Sequence, residues 1–148
     1  MAPAVLPYAS QIHGLESETF FWAEVFYALT LHAAKAQAAA TILTVSSGLA
    51  FVPLAATPTY SATKAAIHSW SLSMRAQLED SSVELIEIVP PGVQTDLMPG
   101  HADNDQMMPL ADFIGETMAL LRQQPTPAEI HVERVKFLSE ATKRDEFD

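Results

Sequence analysis

Two short aliphatic runs constrain this chain most: TILTVSS at 41–47 and VELIEIVP at 83–90, with a long helical run between them. Strands joined through a helix pair in parallel, because a parallel neighbour needs a crossover, and that crossover is right-handed. Helical patterns flank both runs. Residues 16–39 form one long helix, with Glu16 and Glu18 at its positive end and Ser17 as a cap. Residues 109–123 form another, with Leu110, Phe113, Ile114, Met118 and Leu121 near one face. After the PTP break at 125–127, EIHVERVKFL reads as a last strand or a strand running into helix. The order helix, strand, helix, strand, helix, strand predicts an α/β layer with a small parallel sheet of two or three strands and long helices. A single domain accounts for residues 1–148, with an irregular leader at 1–15 and a frayed, charged tail at 140–148.

The chain's chemistry concentrates between residues 41 and 64. Thr57-Pro58 is a helix start, with a capping hydroxyl followed by proline at the first helical position. The helix runs to about residue 80 and carries a small-residue face of Ala62, Ala65, Ala66, Ser69 and Ser73. Tyr60 and Lys64 are four apart on it, so their side chains are neighbours. An ammonium beside a phenol stabilises the phenolate, which lets a tyrosine exchange protons as a general acid or base. Ser47 follows the first strand, at the carboxyl end where α/β sheets place their sites, and its hydroxyl can hold a substrate oxygen. A Tyr-x-x-x-Lys pair alone is a weak signal, since most such pairs are solvated helix residues.

Composition removes several function classes. Eighteen acidic residues against eight basic ones give a net charge of −10. Nucleic acid and anionic membrane surfaces both need basic patches, so neither is an expected partner. There is no cysteine, and the five histidines show no HxxxH or HxH pair, so no metal site is expected. No apolar run approaches the roughly 20 residues of a membrane span. The start, MAPAVLPYAS, lacks the basic and apolar segments of a secretory signal, which leads to a cytoplasmic expectation.

The whole string is far more specific than the pair. VSSG, thirteen residues from Ser47 to Tyr60, then YSATKAA, a strand and PPGVQTDL together resemble the short-chain dehydrogenase/reductase family over residues 17–148. The resemblance implies a partial Rossmann-like layer and an NAD(P) cofactor. It implies that Ser47 orients the substrate oxygen, that Tyr60 passes the proton, and that Lys64 assists Tyr60 and binds the nicotinamide ribose. Pro91, Gly92, Val93 and Thr95 would form the loop beside the nicotinamide. Residues 19–39 would pair with the Tyr60 helix in a four-helix dimer contact.

The family's Gly-rich pyrophosphate turn has no counterpart, because Gly14, Gly48, Gly92, Gly100 and Gly115 are all far apart. The family's catalytic Asn would fall at Thr19 or Phe20. The resemblance therefore covers the C-terminal half of the fold, with the dinucleotide-binding half missing. A sheet this small leaves the 41–46 strand with an uncovered edge and face, so a homodimer or a larger partner chain is expected. The leading functional reading is oxidoreduction of a carbonyl or alcohol. The alternatives are an isomerase, dehydratase or cyclase using the same residues without nicotinamide, and a non-catalytic truncated paralogue that serves as a partner. Phe51, Val52, Leu54, Leu97, Met98, Met107 and Met108 suggest a small apolar or aromatic substrate, although plain packing accounts for them slightly better.

Overall fold

The structure, a computed structural model, describes residues 31–97 and 100–144. The chain from 31 to 35 is helical, and the amides of Ala36 and Gln37 bond back to Ala33 and Ala34 in a tightened last turn. The helix expected over 16–39 therefore stops short of its expected end. Its residues 16–30, and with them Thr19 and Phe20, lie outside the described residues.

Strand β1 (Ala40–Val45) pairs in parallel with β2 (Val83–Val89), from Ala40 opposite Val83 to Val45 opposite Ile88. Helix α1 (Pro58–Gln77) makes the crossover between them. Strand β3 (Glu129–His131) adds in parallel to the far edge of β2, giving the order β1-β2-β3. Helix α2 (Leu110–Leu121) precedes β3. A single 3₁₀ turn, Glu133–Val135, then leads into two short helices, α3 (Lys136–Ser139) and α4 (Ala141–Arg144). The EIHVERVKFL segment is thus a strand running into helix. Ala141 is buried, and Arg144 donates to the carbonyls of Lys136 and Phe137, which ties α4 back to α3; residues 145–148 of the expected tail lie outside the described residues.

Strand β2 is central, and its side chains are buried on both faces except at Glu84 and, in part, Ile88. That explains its nearly continuous apolar run. One core cluster joins Leu31, Met74, Leu78, Val83 and Leu85, with Ile42 packed against it. A second joins Val89, Met108, Val132 and Val135, with Phe51, Phe113 and Leu120 around it. Each fully buried aliphatic side chain contributes about 1.5–3 kcal/mol.

β1 packs only one of its faces inward; Leu43 and Val45 on the other are about half exposed, the uncovered face that a sheet this small leaves. No described element covers that face. On α2, Phe113, Thr117 and Leu120 face inward, whereas Leu110, Ile114 and Met118 are exposed. The helix is apolar on two sides, and its attachment to the Val89–Val135 cluster selects the Phe113 side. On α1, Ala62, Ala66, Ser69 and Ser73 are exposed as a stripe, and Ala65 is half-buried.

Gly48 is required by packing. A Cβ there would sit 2.8 Å from both Leu138 Cδ1 and Val135 Cγ2. Gly48→Ala is expected to cost about 1–3 kcal/mol by overpacking. A lowered urea midpoint at unchanged slope would show it, and an unchanged midpoint would contradict the packing described.

Candidate active site and an adjoining buried charge cluster

The β1–β2 ladder continues beyond both strands. Ser46 donates its amide to the Ile88 carbonyl and Gly48 donates to Pro90, each at 3.0 Å. The chain thus carries Ser47 alongside the start of the 91–95 loop before turning away. Ser47 is buried at 7% exposure, and its hydroxyl accepts from the Leu49 amide at 3.2 Å, capping the 3₁₀ turn Gly48–Ala50. A serine suits this position because its short side chain reaches a backbone amide two residues on.

The loop from 51 to 57 is tied to α1 by Ser61 rather than by Thr57. Thr57 stands at the N-cap with Pro58 next, as the sequence indicates, but its hydroxyl makes no capping bond. The Ser61 hydroxyl instead donates to the Thr57 carbonyl and accepts from the Leu54 amide. That clamp fixes the first turn of α1, which carries Tyr60.

Tyr60 is 40% exposed and Lys64 lies beside it, with Nζ 5.6 Å from the Tyr60 ring centroid. Lys64 Nζ donates to the Val45 carbonyl at 3.0 Å, so the ammonium is anchored to the last residue of β1. Burial pushes the Lys64 pKa below its ordinary 10.5. Strand end, Ser47 turn and the Tyr60–Lys64 turn are thereby gathered at the carboxyl edge of the sheet.

The 91–95 loop packs along the same edge. Val93 bridges in parallel to Met108: Met108 donates to the Gly92 carbonyl and accepts from the Gln94 amide. In that pattern the amide and carbonyl of Val93 itself lie on the side away from Met108. A Cβ on Gly92 would meet Met107 Sδ, so any larger residue there would displace the flexible Met107 side chain. The Thr95 hydroxyl accepts from the Leu97 amide. Of the apolar residues weighed as substrate contacts, Met108 and Phe51 pack into the core, Met107 packs on Gly92, and Leu54 and Leu97 are exposed. Met98 lies outside the described residues.

A second constellation escaped the sequence reading. Glu87 on β2 is fully buried, and His68 Nδ1 faces both its oxygens at 3.0 and 3.1 Å. Glu129 stands directly beside Glu87 in the β2–β3 register. His131 Nε2 is 3.2 Å from Glu129 Oε2, and Arg75 Nη1 is 3.5 Å from Glu129 Oε1. The His131 ring, opposed by burial and reinforced by His68 and Arg75, holds the Glu129 carboxyl below its ordinary 4.5. A buried carboxylate left without a partner costs several kcal/mol, so the contact with His68 is what accommodates Glu87 in the core. The search for HxxxH or HxH spacing missed this group because its members come from three elements. The signals that could have found it are a lone glutamate in the apolar run VELIEIV and the same-face pair Glu129-x-His131 on a strand.

Comparison with known proteins identifies the family and the kind of fold. Residues 22–106, more than half of the chain, match the sequence profile of the short chain dehydrogenase family. An uncharacterized oxidoreductase, DltE of Bacillus subtilis (strain 168), is 41% identical over 140 residues, covering 90% of this chain and 54% of its own length. A crystal structure of a short chain dehydrogenase from Burkholderia cenocepacia J2315 in complex with NADP superposes with a TM-score of 0.55 at 20% identity. That match covers 72% of this chain and 45% of the other, so the fold is of the same Rossmann-like kind. The chain spans about half the length of either relative. Among the described residues no helix is long and apolar enough to cross a membrane.

The buried ammonium of Lys64 predicts a pH signature. With its pKa lowered in the folded state, Lys64 sheds its proton there before it does in the unfolded chain. Between the lowered value and 10.5 the unfolded state holds more protons, so stability rises with pH. The stability of the wild type relative to Lys64→Met is therefore expected to climb as pH rises toward 10.5. A flat difference would mean that the ammonium is not desolvated.

Proposed function

The chain belongs to the short chain dehydrogenase family, and on that footing we propose that it carries the proton-transfer half of an NAD(P)-dependent carbonyl or alcohol oxidoreductase. The observation that carries this reading is the anchoring of Lys64 to the Val45 carbonyl, next to Tyr60 and at the strand end that leads into Ser47. In the reductive direction the Ser47 hydroxyl and the Tyr60 hydroxyl both reach toward the carbonyl oxygen. Tyr60 donates its proton as negative charge develops on that oxygen. Lys64 stabilises the phenolate left behind, and the Val45 carbonyl holds the ammonium close enough to do so.

The residues present fit one half of the cofactor. Lys64 and Tyr60 would meet the nicotinamide ribose, and the Val93 backbone, facing away from Met108, is available to the carboxamide, with Pro91, Gly92 and Thr95 shaping that loop. Bound there, reduced nicotinamide supplies the hydride that the carbonyl carbon receives. No pair of glycines in this chain is spaced to cradle a pyrophosphate. The substrate is a small carbonyl or alcohol, apolar or aromatic, in keeping with exposed Leu54 and Leu97.

The exposed Ala62–Ser73 stripe of α1 and the half-exposed Leu43 and Val45 of β1 support association with a second copy or a larger chain. Small residues let two helices approach closely. Sedimentation velocity at micromolar concentration is expected to give a species of at least two chains, and a stable folded monomer would contradict this.

Activity tests the central reading. With NADPH and a panel of aromatic and aliphatic aldehydes, the wild type is expected to oxidise cofactor. Tyr60→Phe is expected to lower the rate by about 10²–10⁴, the usual contribution of a general acid. NADPH quenching of Trp70 fluorescence should survive that substitution. A wild type without NADPH oxidation, or a Tyr60→Phe rate equal to the wild type's, would overturn the assignment.

A further inference from the structure

The β2–β3 register sets Glu87 and Glu129 side by side on one face of the sheet, the face on which α1 presents His68 and Arg75, seven residues or two turns apart. Adjacent carboxylates on neighbouring strands repel, and Glu87 is fully buried. Arg75 neutralises Glu129 from one side only, through Oε1, and is itself tied to the carbonyls of Leu85 and Ala128. Glu87 has a single ring nitrogen, His68 Nδ1, shared between its two oxygens. One N–H cannot saturate a carboxylate that offers about four lone-pair sites.

His131 completes the group. Its Nδ1 is within 2.9 Å of the Ser139 hydroxyl, which leaves Nε2 turned toward Glu129. Nε2 is buried and makes no directed hydrogen bond, although Glu129 Oε2 is only 3.2 Å away. Nε2 therefore lies within reach of a ligand held by the Glu129 carboxylate. A histidine whose second nitrogen is fixed by a hydroxyl, carbonyl or carboxylate is the usual form of a metal-ligating imidazole.

We propose that His68, Glu87, Glu129 and His131 bind one divalent transition-metal ion of the Zn²⁺ type, which ties α1 to β2 and β3. Ligand atoms of His68, Glu87 and Glu129 already lie within 4.8 Å of one another. A tetrahedral ion with bonds near 2.1 Å places its ligand atoms about 3.4 Å apart, so small side-chain rotations close the site. Two imidazoles and two carboxylates select Zn²⁺ or Co²⁺ over Mg²⁺ and Ca²⁺, which prefer all-oxygen shells. The Phe51 ring lies against His68 at 4.5 Å and His131 at 5.7 Å between centroids, and it shields the cluster from water. Because Phe51 follows the Ser47 turn, an ion here also braces the loop that leads out of the proton-transfer site. The site does not depend on the oxidoreductase reading.

The test uses the full chain after chelator treatment. Equilibrium dialysis against Zn²⁺ is expected to give one ion per chain. Co²⁺ is expected to give visible d–d absorption that Zn²⁺ displaces. Glu129→Gln and His131→Gln should abolish stoichiometric binding. Ser139→Ala, which removes only the hydroxyl on His131 Nδ1, should weaken it by about 10–100-fold, as loss of an outer-shell hydrogen bond does. His101→Ala and Tyr60→Phe should bind as the wild type does. A wild type without stoichiometric binding would overturn the proposal, leaving the His68 ring as the partner of Glu87. Binding that survives both His131→Gln and Ser139→Ala at wild-type affinity would overturn it equally.

Discussion

Everything that this chain places at its candidate site depends on the parallel pairing of β1 with β2. The pairing forces α1 to cross over the sheet, and the crossover returns Tyr60 and Lys64 to the end of β1. The ladder then runs on past the strands through Ser46–Ile88 and Gly48–Pro90, so the serine turn and the 91–95 loop leave the sheet side by side. A one-residue slip in that register would turn Ser47 to the other face and detach Lys64 from Val45. The site is thus a consequence of register, and the specific side chains exploit a geometry the backbone has already set.

Two polar anchors reinforce that geometry from within the apolar layers. Lys64 on the Val45 carbonyl fixes the active edge. Ser71, buried in α1, shares a hydrogen bond with Thr44 of β1 at 2.9 Å and fixes the helix against the strand. On the same face of the sheet, the His68–Glu87 pair and the Arg75–Glu129–His131 chain join α1 to β2 and β3. Charge here is concentrated where α1 meets the sheet, while the Val89–Val135 cluster that holds α2 is wholly apolar.

Much of this was legible in the sequence. The β-branched runs announced the two strands, Thr57-Pro58 announced the start of α1, and the string from VSSG through YSATKAA to PPGVQTDL carried the family resemblance. What local pattern could not supply was the choice of face. Helix α2 is apolar on two sides, and only its docking on Val89 and Val132 selects Phe113 over Ile114. The capping hydroxyl was misplaced for a similar reason. Thr57 occupies the right position, but Ser61 can satisfy both the Thr57 carbonyl and the Leu54 amide at once. The Glu87 cluster was hidden because its members come from three separate segments, at 68–75, 87 and 129–131, that meet only through the sheet. A glutamate inside an apolar strand and the Glu129-x-His131 pair were its local traces.

On the proposed reading, this chain holds the nicotinamide end of the cofactor and transfers the proton at Tyr60. Saturation-transfer difference NMR of NADPH with the chain tests that reading directly. The account predicts strong transfer to the nicotinamide and its ribose protons and weak transfer to the adenine, with the nicotinamide signals reduced by Lys64→Met. Transfer centred on the adenine, or none at any cofactor proton, would contradict it.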